Sequence, residues 1–161
     1  MTSSAFRIEP VGWVRTARRE AVDDDWDSVA STIELDGAKY DASALAGLLD
    51  FSHVEILYLF DKVAPDAVER GARHPRGRTD WPRVGIFAQR GKNRPNRIGA
   101  TIARLQGVEG LTLRLAGLDA IDGTPVIDIK PVMQGFLPRG LVLEPAWANE
   151  IMRSYWKASD D

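Results

Sequence analysis

The stretch FAQRGKNRPNRIG, residues 87–99, concentrates positive charge on a backbone that has little conformational freedom. Its basic residues are Arg90, Lys92, Arg94 and Arg97. Pro95 fixes its own φ angle and drives Arg94 into an extended conformation, so a guanidinium there loses less entropy on binding. The forked guanidinium group suits carboxylate and phosphate oxygens. The stretch therefore predicts an anion-binding turn, and the alternative is a surface turn whose arginines pair with nearby acids.

The stretch belongs to a longer basic segment, residues 70–104, which has ten lysines and arginines and a single acid, Asp80. The net charge of this segment is +9, and the rest of the chain sums to −11 because the whole chain carries −2. Such an uneven distribution is typical of a surface that meets phosphates or carboxylates. A solvated, arginine-rich loop is the alternative that charge alone leaves open.

A second stretch with chemical potential is LDAIDGTPVIDIKP, residues 118–131. Asp122 and its following glycine signal a turn, and strand alternation then places Val126, Asp128 and Lys130 on one face. An aspartate and a lysine in an apolar strand are costly to bury unless they pair. A structural salt bridge beside an ordinary hairpin turn is therefore the simpler interpretation of this stretch on residue chemistry alone.

Other kinds of site find little support in the sequence. The chain has no cysteine, which excludes disulfides, thiolate zinc sites and a cysteine nucleophile. His53 and His74 are the only histidines, and the adjacent carboxylates of residues 23–25 point apart on an extended chain, so no metal is expected. No dinucleotide-binding or P-loop fingerprint occurs. With no apolar run of membrane-spanning length and no signal-peptide core, the expected location is the cytoplasm.

Strand-like patterns dominate the elements that must position these stretches. Such runs occur near residues 11–15, 31–36, 53–60, 83–89, 97–108, 111–119 and 124–132. The last three are separated by turns too short for helical crossovers, so they must pair antiparallel. A meander of this kind closes most readily into a small barrel. The long connection at 61–83 is unusual for a loop without a function.

Two helices complete the predicted fold. One covers 41–50, where Asp41 or Ser43 can cap the start, and the other covers 145–156. The sequence therefore predicts a mainly β protein, a small antiparallel β-barrel with one short helix between strands and a C-terminal helix. The expected division is a barrel domain at 1–137 and a helical extension at 138–161.

The pairing of FAQRGKNRPNRIG with LDAIDGTPVIDIKP resembles the YaeB-like family, whose characterised members are the TrmO transfer-RNA methyltransferases. The resemblance runs from IEPVGWVRT through FSHVEILYLF to about Pro131. It implies a small β-barrel that binds S-adenosylmethionine without a metal and forms a homodimer with the site near the interface. The substrate it implies is the exocyclic nitrogen of threonylcarbamoyl-adenosine beside the tRNA anticodon.

The sequence departs from the pattern of this family in four places. The usual RPNPIG has Arg97 instead of its second proline, and the usual DIKPY ends in Val132. A Pro-Arg-Gln triplet that is frequent in the first loop is absent near residues 25–27. One predicted helix stands where bacterial members often have a further C-terminal domain. The alternatives are thus a methyltransferase for a different small or RNA substrate and a non-catalytic module that binds the cofactor or RNA.

Within the function that the resemblance implies, two sets of site residues are expected. The cofactor-binding set is Asp61, Lys62, Arg90, Asp122, Gly123, Thr124 and Pro125. The catalytic set is Arg94, Asn96, Asp128 and Lys130. Arg94 would hold a substrate anion, Asp128 is the candidate base, and Lys130 would stabilise developing negative charge, although the last two roles are exchangeable. The arginines of the first stretch are expected to face the pocket or solvent.

Overall fold

Eight strands and one α-helix form the regular structure of residues 4–157, the part of the chain that the computed structural model describes. The strands are β1 (Gly12–Thr16), β2 (Ala30–Leu35), β3 (His53–Leu59), β4 (Ala72–Arg73), β5 (Val84–Gly85), β6 (Ile98–Glu109), β7 (Thr112–Ala116) and β8 (Pro125–Pro131). The α-helix is α1 (Ala146–Met152). Short 3-10 turns cover Ala42–Leu45, Leu48–Asp50, Pro65–Ala67, Pro75–Gly77, Ile86–Ala88, Pro95–Arg97 and Gln134–Phe136.

Six of these strands close into a barrel in the order β1–β2–β7–β6–β3–β8. Each neighbouring pair is antiparallel, and β4 and β5 form a separate two-stranded sheet. The predicted fold class, a small antiparallel barrel with little helix, is therefore confirmed. Closure pairs the strands around the barrel, so the sheet keeps no long free edge.

Apolar side chains that alternate along the strands fill the barrel interior. On β3, Val54, Ile56 and Tyr58 point inward and are at most 1% exposed. They pack in one cluster with inward residues of the other strands, among them Val14, Ile33, Leu113, Leu115 and Val126. Each apolar side chain buried in this way contributes about 1.5–3 kcal/mol. The closed core therefore fixes the strand ends from which the loops of the candidate site extend.

A β-bulge in β8 changes the faces that simple alternation predicts. Leu57 and Tyr58 are adjacent on β3, but they pair with Asp128 and Val126, so Ile127 is the extra residue. Val126 consequently lies in the core, whereas the Asp128 side chain is 44% exposed on the outside. The prediction that these two residues share a face is wrong, because one inserted residue reverses the alternation beyond it.

The segment predicted as a helix at 41–50 consists of two 3-10 turns. Asp41 caps the first turn and accepts a hydrogen bond from the Ser43 backbone N–H at 2.8 Å. Gly47 then takes a φ of 78°, a left-handed conformation that ends the turn. Leu45 is buried against the core and anchors the segment. The cap was predicted correctly, but the break at the glycine was not.

The segment predicted as a strand at 83–89 is mostly irregular. Only Val84 and its following glycine pair, and they pair with β4 rather than with the barrel. The buried Gln89 side chain explains this, because its amide donates to the carbonyls of Arg73 at 3.2 Å and Val84 at 2.9 Å. The segment is thus folded back onto its own long loop.

The C-terminal helix is shorter than the predicted 145–156. Pro145 is its N-cap, and the chain leaves the helix before Tyr155. The segment after α1 runs beside the loop between β1 and β2, where the backbone N–H of Trp26 donates to the Tyr155 carbonyl at 3.0 Å. Residues 4–157 contain no helix with both the length and the apolar character needed to cross a bilayer. The boundary between a barrel domain and an extension at residue 137 stays a prediction.

Candidate functional site

Three loop segments from the two sequence stretches and the end of β3 meet at one end of the barrel. We call this end, formed by residues 60–62, 94–98 and 122–125, the basic end. The last residue of β3, Leu59, pairs with Ile98, and the Phe60 N–H donates to the Arg97 carbonyl at 2.8 Å. Tyr58 pairs with Val126, which directly follows the 122–125 turn. The strand register therefore brings together segments that are far apart in the sequence.

The turn at 94–97 has an unusual backbone. Arg94 is extended, with φ −101° and ψ 158°, as a residue before proline should be. Asn96 and Arg97 then both take positive φ angles, 62° and 54°. Left-handed geometry is common for asparagine but costs about 1 kcal/mol or more for a residue such as arginine. The turn therefore stores strain at the place where the sequence predicts anion binding.

The arginines of this stretch donate to backbone carbonyls. Arg94 Nη1 lies 2.8 Å from the Gln89 carbonyl oxygen, and Arg97 Nη1 lies 2.7 Å from that of Val63. Arg90 Nη2 similarly donates to the Ala100 carbonyl at 2.6 Å on β6. The expectation that these side chains would simply face the pocket or solvent is therefore incomplete. Each guanidinium is fixed by a neutral acceptor and keeps its full positive charge.

Carboxylates neutralise few of the charges in the basic segment 70–104. Within residues 4–157, only Arg76 and Arg78 of this segment have a carboxylate oxygen within 4.0 Å. Arg76 pairs with Asp24 at 2.9 Å, and Arg78 pairs with Asp80. None of the four basic residues of the first stretch has a carboxylate oxygen within 4.0 Å among residues 4–157. The alternative of a turn neutralised by nearby acids is thus not what the described residues form.

The turn at 122–125 is tied to the end of β1. Asp122 Oδ1 accepts the Thr16 backbone N–H at 3.2 Å, and the Gly123 N–H donates to the Val14 carbonyl at 2.8 Å. Gly123 has a φ of 78°, which any other residue would adopt only with strain. Thr124 is buried. Asp122 therefore has a structural contact on one oxygen, and the open side of the turn is formed by Gly123.

Asp61 and Lys62 follow β3 directly at the basic end. Their side chains lie 3.5 Å apart, and they are 27% and 73% exposed. This exposed pair adds little stability, because ion pairs in water contribute about 0–1 kcal/mol. Both groups are thus accessible, with one negative and one positive charge beside the arginine-rich turn.

Asp128 and Lys130 form a salt bridge away from the basic end. Lys130 Nζ lies 2.7 Å from Asp128 Oδ2, and the hydrogen bond to Asp128 raises the pKa of Lys130. The two residues pair with Leu57 and Glu55 of β3. At about 3.3 Å per residue, these positions lie roughly 10 and 17 Å from Phe60 along the strand. Within one chain, the fold does not bring this pair into contact with the 94–97 turn.

A cavity of about 460 Å³ lies beside Asp128, and a second cavity of about 370 Å³ lies on the flank of β6. The first is lined mainly by the apolar residues Val11, Leu35, Leu45, Leu48, Phe51 and Ile129. The second includes Ile102, Arg104, His53 and Trp156. Among residues 4–157, no three or more His, Asp or Glu side chains are arranged to hold a metal.

A polar cluster around Asp119 was not identified in the sequence analysis. Its carboxylate accepts hydrogen bonds from the hydroxyls of Tyr58, at 2.8 Å, of Thr101 and of Tyr155. Burial raises the pKa of Tyr58 far above its ordinary value, and the negative charge of Asp119 adds to this effect. The only feature of the sequence that could have pointed to Asp119 is its position three residues before the 122–125 turn. The other members come from separate elements with no shared sequence pattern.

Comparison with known proteins identifies the family. Residues 22–136 match the family of the tRNA-methyltransferase O N-terminal domain. A human tRNA (adenine(37)-N6)-methyltransferase is 41% identical over 63% of this chain and 23% of its own length. The Escherichia coli protein of the same name is 35% identical over 81% of this chain and 59% of its own length. The chain therefore spans less than two thirds of these relatives.

An archaeal relative is similar in size. A probable S-adenosyl-L-methionine-binding protein of Methanothermobacter thermautotrophicus is 37% identical over 81% of this chain and 93% of its own length. The fold agrees with a crystal structure of TrmO from Pseudomonas aeruginosa, with a TM-score of 0.71 and 30% identity over 87% of this chain and 61% of that chain. With a family match over most of its length, the chain belongs to the tRNA-methyltransferase O N-terminal domain family.

Proposed function

We propose that this protein is an S-adenosylmethionine-dependent tRNA N-methyltransferase. Its proposed substrate is the exocyclic nitrogen of threonylcarbamoyl-adenosine next to the anticodon. The observation that carries the proposal is the arginine-rich turn at 94–97, whose guanidiniums are fixed by carbonyls and have no carboxylate partner among residues 4–157. Fixed cations of this kind suit the threonyl carboxylate of the substrate and the flanking phosphates. The human and Escherichia coli relatives are named tRNA (adenine(37)-N6)-methyltransferases, which supports methylation of an adenine N6 in tRNA.

The groups at the basic end fit S-adenosylmethionine. This molecule has a sulfonium and an ammonium group, which favour nearby carboxylates, and a carboxylate, which favours cations. Asp61 is accessible for the first purpose and Lys62 for the second. Arg90, which lies outside the segments of the basic end and donates to the Ala100 carbonyl on β6, is the further cation of the proposal. The space beside Gly123 is open, because a Cβ there would have no neighbour within 4 Å. Together with Asp122, Thr124 and Pro125 of the same turn, these residues form the proposed cofactor site, where the bound cofactor supplies an electrophilic methyl group.

The task of the chain is mainly to position the acceptor nitrogen, since methyl transfer needs an in-line approach. Arg94 holds the substrate anion, and Asn96 supplies an exposed amide on the same turn. Asp128 is the proposed base and Lys130 the proposed stabiliser of negative charge. Because this pair lies some distance down the barrel from the turn, its participation requires a second copy of the chain.

A homodimer with the site near the interface is part of the proposal. The segment after β8 exposes large apolar side chains that a monomer would leave in water. Phe136 is 88% exposed, and Leu141 and Leu143 are 86% and 84% exposed. Burial of these side chains between two copies would remove them from water and place β8 of each chain near the partner. A tRNA substrate also implies a cytoplasmic enzyme.

The test combines cofactor binding with analysis of the product. Purified protein is mixed with S-adenosylmethionine and with tRNA from a strain in which the gene is deleted, and the nucleosides are analysed by mass spectrometry. Methylated threonylcarbamoyl-adenosine is the expected product. Cofactor binding without this product would indicate a different substrate, and absence of cofactor binding would contradict the enzyme itself. The Arg94→Ala variant serves as the matched control for anion recognition.

A further inference from the structure

The carboxylate of Asp119 is held rigidly near the basic end by two groups of the barrel. Its Oδ1 accepts the hydroxyl of Tyr58 at 2.8 Å and the hydroxyl of Thr101. Both donors are almost fully buried, at 1% and 6% exposure, and they belong to the neighbouring barrel strands β3 and β6. The tyrosine hydroxyl also lies 3.1 Å from the backbone carbonyl of Asp119. This part of the cluster is therefore built into the fold and has a fixed orientation.

The second oxygen of the carboxylate has a different kind of partner. Among residues 4–157, Asp119 Oδ2 accepts its hydrogen bond from the hydroxyl of Tyr155. Tyr155 lies after α1, outside the residues 22–136 that match the family. A negatively charged acceptor that the barrel itself leaves open is thus covered by a side chain from the end of the chain.

The segment that carries Tyr155 is attached to the barrel through a few local contacts. Its backbone carbonyls at residues 154–156 accept hydrogen bonds from the N–H groups of residues 25–27, at 3.1, 3.0 and 2.7 Å. Apart from the bond between Tyr155 and Asp119, one side-chain hydrogen bond joins residues 144–157 to the rest of the described chain, from Trp81 Nε1 to Glu150 Oε2 at 2.7 Å. The helix α1 has seven residues and no fully buried side chain. Such a segment can separate from the barrel without opening the core.

The charges around the cluster favour binding of a small zwitterion. Burial, the negative charge of Asp119 and the hydrogen bond to it raise the pKa of Tyr155, whereas the positive charges of Arg76 and Arg90 act in the opposite direction. A ligand with an ammonium group and a carboxylate would find Asp119 for the first and Arg90 for the second, since Arg76 already pairs with Asp24 whereas Arg90 has no carboxylate partner among residues 4–157. The methionyl end of S-adenosylmethionine has this pair of groups.

We propose that Asp119 Oδ2 binds the ammonium group of S-adenosylmethionine, and that the Tyr155 hydroxyl occupies this acceptor until the cofactor displaces it. The inference rests on the proposed function, because it names a further residue of that cofactor site. Tyr155 acts here as an internal competitor, so the affinity measured for the cofactor is reduced by the fraction of molecules in which the segment covers Asp119.

Calorimetry of the full-length protein with S-adenosylmethionine tests both residues. Tyr155→Phe removes the competing hydroxyl, and we expect the cofactor to bind about five-fold or more tightly. Asp119→Asn should weaken binding at least about ten-fold, because it removes the charge that the ammonium group meets. Tyr40→Phe is the matched control, because it deletes a phenolic hydroxyl that lines the cavity beside Asp128. This variant should bind S-adenosylmethionine as tightly as the wild type does.

Limited trypsin digestion gives a readout that does not depend on activity. Arg153 lies just after α1, and cleavage there should become faster when the cofactor releases the C-terminal segment. Unchanged or weaker binding by Tyr155→Phe, or unchanged cleavage on saturation with the cofactor, would overturn the inference even if Asp119→Asn fails to fold. If the wild type does not bind the cofactor, the proposed function fails as well. Wild-type binding with no effect of Tyr155→Phe would overturn only the inference.

Discussion

Gly99 lies directly against the ring of Tyr58 at the basic end of the barrel. A Cβ on Gly99 would lie 2.5 Å from one ring carbon of Tyr58 and 2.9 Å from Phe60. The two rings also contact each other edge to face, with centroids 5.3 Å apart. The glycine that follows the 94–97 turn is therefore needed for the packing that orients the Tyr58 hydroxyl toward Asp119.

Gly99→Ala should destabilise the protein by about 1–3 kcal/mol, because the buried ring has no free space into which it can move. A chemical denaturation curve measures this difference. Gly85→Ala is the matched control, since a Cβ there would have no neighbour within 4 Å and the residue has a φ of −60°. Equal stabilities for the two variants would show that Tyr58 is less constrained than its contacts indicate.

Much of the fold followed from local patterns in the sequence. Short turns between alternating strands required antiparallel pairing, Pro95 required an extended Arg94, and Asp41 was one of two candidate caps for the segment that it begins. Each of these features depends on residues close together in the chain. The barrel could therefore be predicted from turn length and alternation, without knowledge of the distant contacts.

The parts that could not be predicted depend on distant contacts. The bulge at Ile127 is set by the register between β3 and β8, and no pattern within β8 reveals it. The Asp119 cluster joins side chains from β3, β6 and the C-terminal segment, which only the closed barrel brings together. The carbonyl partners of Arg94 and Arg97 are likewise invisible in the sequence, because every residue has a carbonyl.

Arg94→Ala should lower both activity and stability. Loss of the guanidinium that meets the substrate anion should lower kcat/KM. The expected loss of transition-state binding energy is about 2 kcal/mol or more. Loss of the bond to the Gln89 carbonyl should also cost about 1 kcal/mol of folding free energy. Methyl-transfer kinetics and a denaturation curve measure the two effects.

Arg94→Lys separates these two roles, since a lysine can reach one acceptor but cannot form the paired bonds of a guanidinium. Its activity should stay low even if its stability recovers. Arg15→Ala, which removes a surface ion pair with Glu34, is the control for loss of an arginine as such. Full activity of Arg94→Ala would mean that Arg94 only holds the loop.

Substitutions of Arg97 test the strain in the turn. Arg97→Gly and Arg97→Ala both lose the bond to the Val63 carbonyl, but only glycine adopts a φ of 54° without strain. The glycine variant should therefore be the more stable of the two by about 1 kcal/mol. Arg97→Pro should be the least stable variant, because proline cannot adopt this angle and lacks the N–H that donates to the Arg94 carbonyl at 3.0 Å. Equal stabilities for the glycine and alanine variants in urea would contradict the strained conformation.

Asp128→Asn should separate catalysis from folding. If Asp128 is the base, the variant loses about 100-fold or more in kcat, whereas stability changes by less than about 1 kcal/mol because the pair with Lys130 is exposed. Single-turnover methyl transfer and a thermal melt measure these quantities. A variant with normal kcat would remove Asp128 from the mechanism.

The same pair predicts a pH dependence with a defined sign. The pKa of Lys130 is raised above its ordinary 10.5 because Asp128 accepts its hydrogen bond. Whatever the pair contributes to stability is therefore present below the unfolded pKa and is lost as the pH rises through the folded pKa. The difference in Tm between the wild type and Lys130→Met should accordingly be larger at neutral pH than above that folded pKa. A difference that grows with pH would contradict the assigned pairing.

Lys92→Ala should weaken tRNA binding without affecting the cofactor. Lys92 is exposed within the basic segment, and its charge has no carboxylate partner within 4.0 Å among residues 4–157. A lysine that neutralises one phosphate releases about one counterion, so its removal should reduce the slope of log affinity against log salt by about 1. Because Lys92 provides charge without reading a base, the loss should be similar for different tRNAs.

Filter-binding measurements at several salt concentrations give this slope, and calorimetry gives the cofactor affinity. Lys39→Ala is the matched control, because Lys39 already pairs with Glu9 at 3.1 Å and lies in the loop beside the other end of the barrel. Its removal should leave both the affinity and the slope nearly unchanged. If Lys92→Ala and Lys39→Ala behave alike, the basic segment is a solvated surface rather than the RNA-binding face, and the tRNA part of the proposed function loses its electrostatic basis.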